Sequence, residues 1–556
     1  MCALHDSSEP RLDAGMKHHD HYARRLPPWR NALRNRLIPI VRSETPYLAL
    51  LQDQLRTPAL DSYFAFTANL GTHTFFMVML PILFWNGYTS MGRAMVHMLA
   101  AGVYWSGFVK DMLCLPRPLS PPLYRITMSG SAALEYGFPS THSTNAVSVA
   151  VYAIQILRSA PEQHHPYVYI ALQMLFYFYA VSIVFGRLYC GMHGFFDVVV
   201  GSFLGAGIAI VQLMCGEALD VWVASGSYVN PLLLTIITLF LVRIHPEPAD
   251  DCPCYDDSIS FAGVVIGCQI GAFHYARTGY AIDLPIPSTV PFSLKALGLP
   301  TATARIVLGV VIIFVWRAAM KPALFKILPP IFRGLEHVRL NMPRVFFLSA
   351  SKYTSIPPLQ GDDNVIPPMS ELPQMLKNLT HPRKRSVSLG PQSAADAYET
   401  LAYRNRRRRE SINSQDSVIL ESAEWLPDWD DPKDLKPSLK PKDNKPLGVD
   451  LLPTPVSSRV HSYEHMMGTV SPEATSMTPL DSDAEFIADS DGSGTAPQEE
   501  ENEKRQIFMK LEKPRARYDV EVITKLIVYG GIGWLAVEGN PLLFELCGLG
   551  MGLTGK

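Results

Sequence analysis

The chain has 556 residues, and its 49 Lys and Arg nearly balance its 51 Asp and Glu, so its formal charge at pH 7 is −2. This balance gives no overall attraction to nucleic acid, and no nucleic-acid partner is expected. The charge is unevenly spread, however, and several long stretches contain no Asp, Glu, Lys or Arg. Five of them are 62–92, 94–109, 167–185, 198–216 and 221–242. A soluble protein would have to hide all of them in one core, so the sequence predicts a multi-pass membrane protein.

An apolar run of about 20 residues is long enough to cross the hydrocarbon core of a bilayer as a helix. On this basis we expect an all-α membrane bundle of about 8–9 spans with a hydrophilic insert. The spans are placed near 63–86, 92–113, 143–158, 166–186, 194–215, 221–243, 258–277 and 304–326, with a weaker candidate near 524–553. They define a membrane domain over 61–345 and a C-terminal membrane-associated segment over 516–556.

Two hydrophilic regions lie outside these spans. Residues 1–60 are rich in arginine and show no signal peptide, which predicts a basic tail that is either solvated or lies on an anionic membrane face. Residues 346–515 are dominated by Pro, Ser and charged residues, which predicts a disordered linker. Within it Ser386, Ser388 and Ser411 follow basic runs, so a protein kinase is a candidate partner.

The eight cysteines do not form the pattern of a disulfide framework, and most lie in or beside the predicted spans. Cys252 and Cys254 form a CPC pair in an acidic loop. Two ligands without a second pair are only a weak indication of a metal site. We therefore predict neither a metal nor a cofactor for this chain.

Three polar clusters lie at the ends of predicted spans. The first, KDMLCLPRP at 110–118, contains Lys110 and Arg117. The second, PSTH at 139–142, opens the third span, and the third, GRLYCGMHGFFD at 186–197, joins the fourth span to the fifth. Counting the spans brings all three clusters to the same face of the membrane. Three cations, two histidines and an aspartate are therefore expected to meet there.

The residue types of these clusters suit the binding of an anion. Lys110, Arg117 and Arg187 donate hydrogen bonds without accepting any, and guanidinium groups match phosphate oxygens. The start of the third span presents unpaired backbone N–H groups, and Ser140 could either cap this helix or bond a phosphate oxygen. A purely structural interpretation of each residue also exists, as a helix cap or as an anchor at the membrane edge.

The two histidines suit phosphoryl transfer. His193 and Asp197 are four residues apart and share a helix face if the fifth span begins near His193, so the carboxylate can hold one ring nitrogen. The other nitrogen then keeps its lone pair and is a nucleophile. His142 would protonate a leaving oxygen as a general acid, or alternatively would be an interfacial residue without a chemical role.

Together, K-x6-R-P, P-S-x-H and R-x5-H-x3-D resemble the signature of the type 2 phosphatidic acid phosphatase superfamily of lipid phosphatases, which shares its site with vanadium haloperoxidases. Thr141 stands where many members have glycine, and Gly186 where many have serine before the arginine. Both departures, with EYGFPSTHS and GRLYCGMHG, resemble the sphingoid-base phosphate phosphatase branch and its fungal dihydrosphingosine 1-phosphate phosphatases. The resemblance covers roughly 60–345.

The resemblance implies that the chain hydrolyses long-chain base 1-phosphates in sphingolipid metabolism. It implies that His193 attacks phosphorus to form a phosphohistidine, that Asp197 orients His193, and that His142 protonates the leaving hydroxyl and then activates water. It also implies a set of residues that bind the phosphate. These are Lys110, Arg117, Ser140, Thr141 and Arg187.

The resemblance also implies that no divalent metal is needed and that the chain lies in the endoplasmic reticulum membrane, with a lumenal site. The predicted span count instead puts the site on the same side of the membrane as the basic tail. A basic tail favours the cytosol, so the sequence leaves a lumenal and a cytosolic site as alternatives. An alternative function is a broad-specificity lipid phosphatase acting on phosphatidate or lysophosphatidate. A non-catalytic membrane scaffold is a further alternative, although no residue of the signature is lost.

Overall fold

The computed structural model describes residues 13–68, 73–120, 122–126, 134–159, 161, 165–338, 347–356 and 517–552. Nearly all regular structure in these residues is helical, which confirms the predicted all-α class. The helices are α1 His19–Arg25, α2 Pro28–Ser43, α3 Thr45–Leu55, α4 Pro58–Ala68, α5 His73–Trp85, α6 Thr89–Leu113, α7 Thr141–Ser159, α8 Pro166–Tyr189, α9 Phe195–Ser225, α10 Val229–Ile244, α11 Cys254–Tyr275, α12 Leu294–His337, α13 Val520–Trp534 and α14 Asn540–Leu546. A π-helical turn, Leu535–Gly539, joins the last two.

Most of the predicted linker lies outside the described residues. This applies to 357–516, and therefore to the candidate phosphorylation sites Ser386, Ser388 and Ser411. At the margin of the predicted linker, strand β1 (Phe347–Leu348) pairs in parallel with strand β2 (Arg517–Tyr518). The two ends of the linker are thus joined by a short two-stranded sheet.

Five helical segments among the described residues are long and apolar enough to cross a membrane, which confirms a multi-pass protein. They are α8, α9, α11, α12 and the continuous segment Val520–Leu546. Helices α5 and α10 are apolar but shorter. The predicted count of about 8–9 spans is therefore not confirmed by length and composition.

Helices α6 and α7 are less apolar because they lie inside the bundle and carry polar side chains inward. Ser106 and Asp111 of α6, and Thr144 and Asn145 of α7, are all buried. By contrast, α8 and α9 expose large apolar side chains such as Phe178 on their outer surfaces, as helices facing lipid do. The candidate site lies where α6 ends and α7 begins.

The boundary between α9 and α10 differs from the sequence prediction, which placed separate spans at 194–215 and 221–243. Helix α9 instead continues without a break through Asp220 to Ser225. Asp220 is buried and lies 3.7 Å from the guanidinium of Arg93 on α6. Because its charge is paired inside the bundle, this carboxylate does not end the helix.

The C-terminal segment, which the sequence marks only as a weak span, packs against α11 and α12 and is half-buried. Helix α13 packs backbone to backbone on α11, since a Cβ on Gly267 would collide with the carbonyl of Gly530. The indole N–H of Trp85 donates to the carbonyl of Ala536 at 3.0 Å. Contact between glycines lets two apolar helices approach closely, which is a common way of packing helices within a membrane.

The N-terminal region also differs from the predicted tail, because α1, α2 and α3 pack against the ends of other helices. Arg30 of α2 donates through Nε to the carbonyl of Met112 at 2.7 Å. Arg34 donates through Nε to the carbonyl of Cys114 at 3.1 Å. The last carbonyls of a helix have no partner within the helix, and these two arginines supply donors at the end of α6.

Helix α7 is pressed against α9 at two glycines. A Cβ on Gly201 would lie 2.7 Å from the carbonyl oxygen of Ser140, and one on Gly205 would collide with that of Thr144. Real Cβ atoms do not approach oxygen so closely, so glycine is needed at this crossing. The crossing fixes the position of the start of α7, measured along the helix axes, relative to the start of α9.

We expect Gly205→Val to separate α7 from α9 and destabilise the protein by about 1–3 kcal/mol, the usual cost of forcing extra carbon into a packed interior. The matched control is Gly207→Val on the same helix, where a Cβ would meet nothing within 4 Å. Thermal melting of both variants in detergent measures the difference. Equal melting temperatures for the two variants would contradict the proposed close crossing.

Candidate active site

Four helix ends meet on one face of the bundle. Lys110 lies in the last turn of α6, and Arg187 in the last turn of α8. The backbone N–H of Ser140, just before α7, donates at 3.0 Å to the carbonyl of Asp197 in the first turn of α9. The three polar clusters that the sequence placed at separate span ends therefore lie together.

His193 lies in the turn before α9, one residue ahead of the N-cap Gly194. Because α9 begins at Phe195, His193 and Asp197 do not share a helix face as the spacing suggested. Asp197 nevertheless reaches back to the turn: its Oδ2 accepts from the N–H of Gly194 at 2.9 Å and lies 3.6 Å from His193 Nδ1. The second distance is longer than a hydrogen bond, and such contacts often shorten when substrate binds.

The other ring nitrogen of His193 faces a cation. Nη1 of Arg117 lies 3.3 Å from His193 Nε2 and donates to the carbonyl of Met192 at 2.8 Å. The guanidinium thus holds the backbone of the turn and stands beside Nε2. An anion bound to Arg117 would therefore lie next to the nitrogen that is turned away from Asp197.

The imidazole of His193 is buried, with its side chain only 3% exposed, and burial disfavours its charged form. Loss of water lowers the pKa of His193 well below its usual value, and the charges of Arg117, Lys110 and Arg187 lower it further. The charge of His142 acts in the same direction. A neutral imidazole keeps the lone pair that a nucleophile requires.

Lys110, Arg117 and Arg187 are buried together, each no more than 5% exposed. We call these three side chains the cation cluster. Glu135 is bound to it, with Oε2 at 2.8 Å from Nη2 of Arg117 and 3.7 Å from Nζ of Lys110. Glu135 supplies one carboxylate to three cations, so the cation cluster itself keeps a positive balance that suits an anion.

The polar residues at the start of α7 have partners within the protein. Ser140 Oγ accepts from the backbone N–H of Ser143 at 3.3 Å and from its hydroxyl at 2.9 Å, which makes Ser140 the cap of α7. Thr141 Oγ1 lies 2.8 Å from Ser106 Oγ on α6. His142, the next residue, is half-buried. The structural interpretation of Ser140 thus holds, and its contact with phosphate stays a prediction.

Two carboxylates that lie at this face were not predicted from the sequence. Glu135 binds the cation cluster, and Glu44, ahead of α3, accepts from the backbone N–H of Phe196 at 2.8 Å. Glu44 and Phe196 are 152 residues apart, and no spacing rule links them. Glu135 lies within the EYGFPSTHS stretch, but nothing in its sequence position indicates that it folds back on Arg117.

A cluster of possible metal donors lies beside Lys110. Asp111 joins Cys252 and Cys254, and one donor atom of each residue lies within 4.8 Å of the other two. The two sulfurs are 2.7 Å apart. Two thiolates bound at about 2.3 Å to one tetrahedral zinc would be about 3.8 Å apart. The third donor strengthens the sequence pattern, but the sulfurs are not arranged around a zinc ion.

Comparison with known proteins gives a consistent set of relatives. A family model described as the PAP2 superfamily matches residues 91–218, a range that holds all the predicted site residues. The chain is 42% identical over 305 residues to a dihydrosphingosine 1-phosphate phosphatase of Schizosaccharomyces pombe, covering 55% of this chain and 72% of that protein. It is 34% identical over 268 residues to a Saccharomyces cerevisiae protein of the same name, covering 48% and 66%.

A plant protein extends this set. The lipid phosphate phosphatase delta of Arabidopsis thaliana is 29% identical over 269 residues, which cover 46% of this chain and 63% of the plant protein. No solved structure matches the chain.

We expect the titration midpoint of His193 to lie below the usual value of about 6.5, because burial and nearby cations lower its pKa. NMR of the full chain labelled at histidine, in lipid nanodiscs, measures the titration, and the His193 signal is assigned by its absence in His193→Asn. In Arg117→Met the midpoint should rise, since one positive charge is removed. A midpoint at or above 6.5 in the unchanged protein would contradict this expectation.

Proposed function

Because this chain belongs to the PAP2 superfamily, we propose that it hydrolyses long-chain base 1-phosphates to the free base and inorganic phosphate. The observation that carries the proposal is the position of His193, with a carboxylate beside Nδ1 and the cation cluster beside Nε2. The names of the two yeast relatives support the substrate class. The proposed reaction proceeds in two steps through a phosphohistidine.

In the first step the cation cluster binds the phosphate oxygens and spreads their charge. Nε2 of His193 attacks phosphorus, and the bond between phosphorus and the lipid oxygen breaks. Asp197 keeps the remaining ring proton on Nδ1 and stabilises the imidazolium that forms. His142 donates its proton to the departing oxygen, so the long-chain base leaves as an alcohol.

In the second step water replaces the lipid. His142, now neutral, accepts a proton from the water molecule while the water oxygen attacks phosphorus. The bond from phosphorus to Nε2 breaks, inorganic phosphate leaves, and both histidines return to their first states. Ser140 and Thr141 would assist through the start of α7, where backbone N–H groups favour negative charge.

A broader lipid phosphatase is the second candidate, and the name of the plant relative favours it. Phosphatidate and lysophosphatidate carry the same phosphate monoester but lack the amino group of a long-chain base. Initial rates for both lipid classes, measured on the purified full chain in the same micelles, separate the two candidates.

We propose that the chain lies in the endoplasmic reticulum membrane, because the family resemblance implies this location. The five segments that are long and apolar enough to cross a membrane are compatible with it. Co-localisation of a tagged full chain with a marker of that membrane tests the assignment. A kinase acting on Ser386, Ser388 or Ser411 stays a prediction from the sequence. Phosphopeptide mapping of the chain from cells tests that prediction.

We expect His193→Ala to abolish both hydrolysis and phosphoenzyme formation, because the nucleophile is removed. His142→Ala should lose about 10²–10⁴-fold with a long-chain base phosphate, the usual value of general acid help. With an activated aryl phosphate, whose phenolate leaves without a proton, much of its first step should return as a burst or as trapped phosphohistidine. Rapid quench with labelled substrate measures both. Label trapped on His142 in the His193 variant would reverse the two roles.

We expect activity to survive chelation of divalent metals, because the cation cluster supplies fixed positive charge at the phosphate. Released phosphate is measured in EDTA and in added Mg²⁺, with the same protein and lipid. Complete loss in EDTA that Mg²⁺ restores would contradict the proposed site.

A further inference from the structure

Glu135 is a partly exposed acidic group that contacts two buried cations of the site. Its side chain is 26% exposed, against 5% for Lys110 and 4% for Arg117, the two cations that it contacts. Its own backbone carbonyl also accepts from Nε of Arg117 at 3.1 Å. Both ends of this residue are therefore tied to one guanidinium, and its carboxylate lies where the cation cluster meets solvent.

This position creates an electrostatic conflict for an ordinary phosphate monoester. A phosphate bound to Arg117 and Lys110 would come close to the carboxylate of Glu135, which contacts the same two cations. Like charges at such distances disfavour each other, most strongly where water is largely excluded. A substrate that brings its own positive charge next to its phosphate would remove the conflict.

A long-chain base 1-phosphate is such a substrate, because its amino group is on the carbon next to the one that carries the phosphate. We infer that Glu135 binds the ammonium group of the substrate while the cation cluster binds its phosphate. This inference rests on the proposed function. It assigns an ammonium subsite to a residue outside the three signature clusters.

The same carboxylate would discriminate against other lipid phosphates. Phosphatidate and lysophosphatidate carry an oxygen in place of the ammonium group, so their phosphate would face Glu135 without a bridging positive charge. Selectivity then has an attractive part for the amino lipid and a repulsive part for the others. Both parts depend on the charge of one side chain.

A purely positioning role for Glu135 predicts a different outcome. If the carboxylate only holds Arg117 in place, its removal would harm every phosphate monoester to the same extent. The two roles are therefore separated by comparing substrates rather than by the size of any single loss.

The experiment uses the purified full chain in mixed micelles with two lipids that differ at one group. One is dihydrosphingosine 1-phosphate, and the other is its analogue with a hydroxyl in place of the amino group. The variant is Glu135→Gln, which keeps the shape and removes the charge. The matched control is Glu217→Gln, an exposed residue about 33 Å along α9 from Phe195.

We expect Glu135→Gln to lose about 10–100-fold in kcat/KM for the amino lipid, mainly through KM, which is the usual value of a hydrogen bond to a charged group. The hydroxyl lipid should be hydrolysed as fast as before or faster. Glu217→Gln should match the unchanged protein with both lipids. If Glu135→Gln does not accumulate, Glu135→Asp replaces it, because the shorter carboxylate should also lose selectively on the amino lipid.

An equal loss on both lipids, or no change on either, would overturn the ammonium subsite. Failure of the proposed function looks different, since the unchanged protein would then not hydrolyse dihydrosphingosine 1-phosphate at all. An unchanged protein that hydrolyses both lipids equally would also overturn the inference, because Glu135 would then confer no selectivity.

Discussion

The burial of three positive charges side by side is the constraint on which the rest of this structure depends. Lys110, Arg117 and Arg187 each lose most of their water and repel one another. The carbonyl of Met192 and both the carbonyl and the carboxylate of Glu135 compensate part of this cost. A phosphate monoester, with a charge of about −2, would compensate more of it. The proposed binding of a phosphate would therefore offset part of the cost of burying these three charges.

Keeping these charges in place requires that the ends of several helices stay fixed. Helix α6 ends where Arg30 and Arg34 reach its last carbonyls, and α9 begins where Glu44 accepts from its first turn. The close crossing at Gly201 and Gly205 fixes where α7 packs along α9. The N-terminal helices and the glycine crossing thus perform one task, which is to hold the turn that carries His193 against the cation cluster.

The membrane divides the helices into two kinds. Helices α8 and α9 present apolar side chains outward, whereas α6 and α7 carry their polar residues into the bundle and deliver them to one face. This arrangement places a polar reaction centre at the end of an apolar bundle. A lipid phosphate could keep its hydrocarbon chain in the bilayer while its headgroup enters the site.

The sequence by itself determined the all-α membrane class, the apolar segments of α8 and α10, and the three polar clusters, because hydropathy and motif spacing are local properties of the chain. Only the tertiary structure decided that Asp220 lies within an unbroken helix, since its charge is neutralised by a residue on another helix. The same holds for Glu44 and Glu135, whose partners are distant in sequence or lie across a turn. Pairing between charges depends on which surfaces meet, and no local pattern records that.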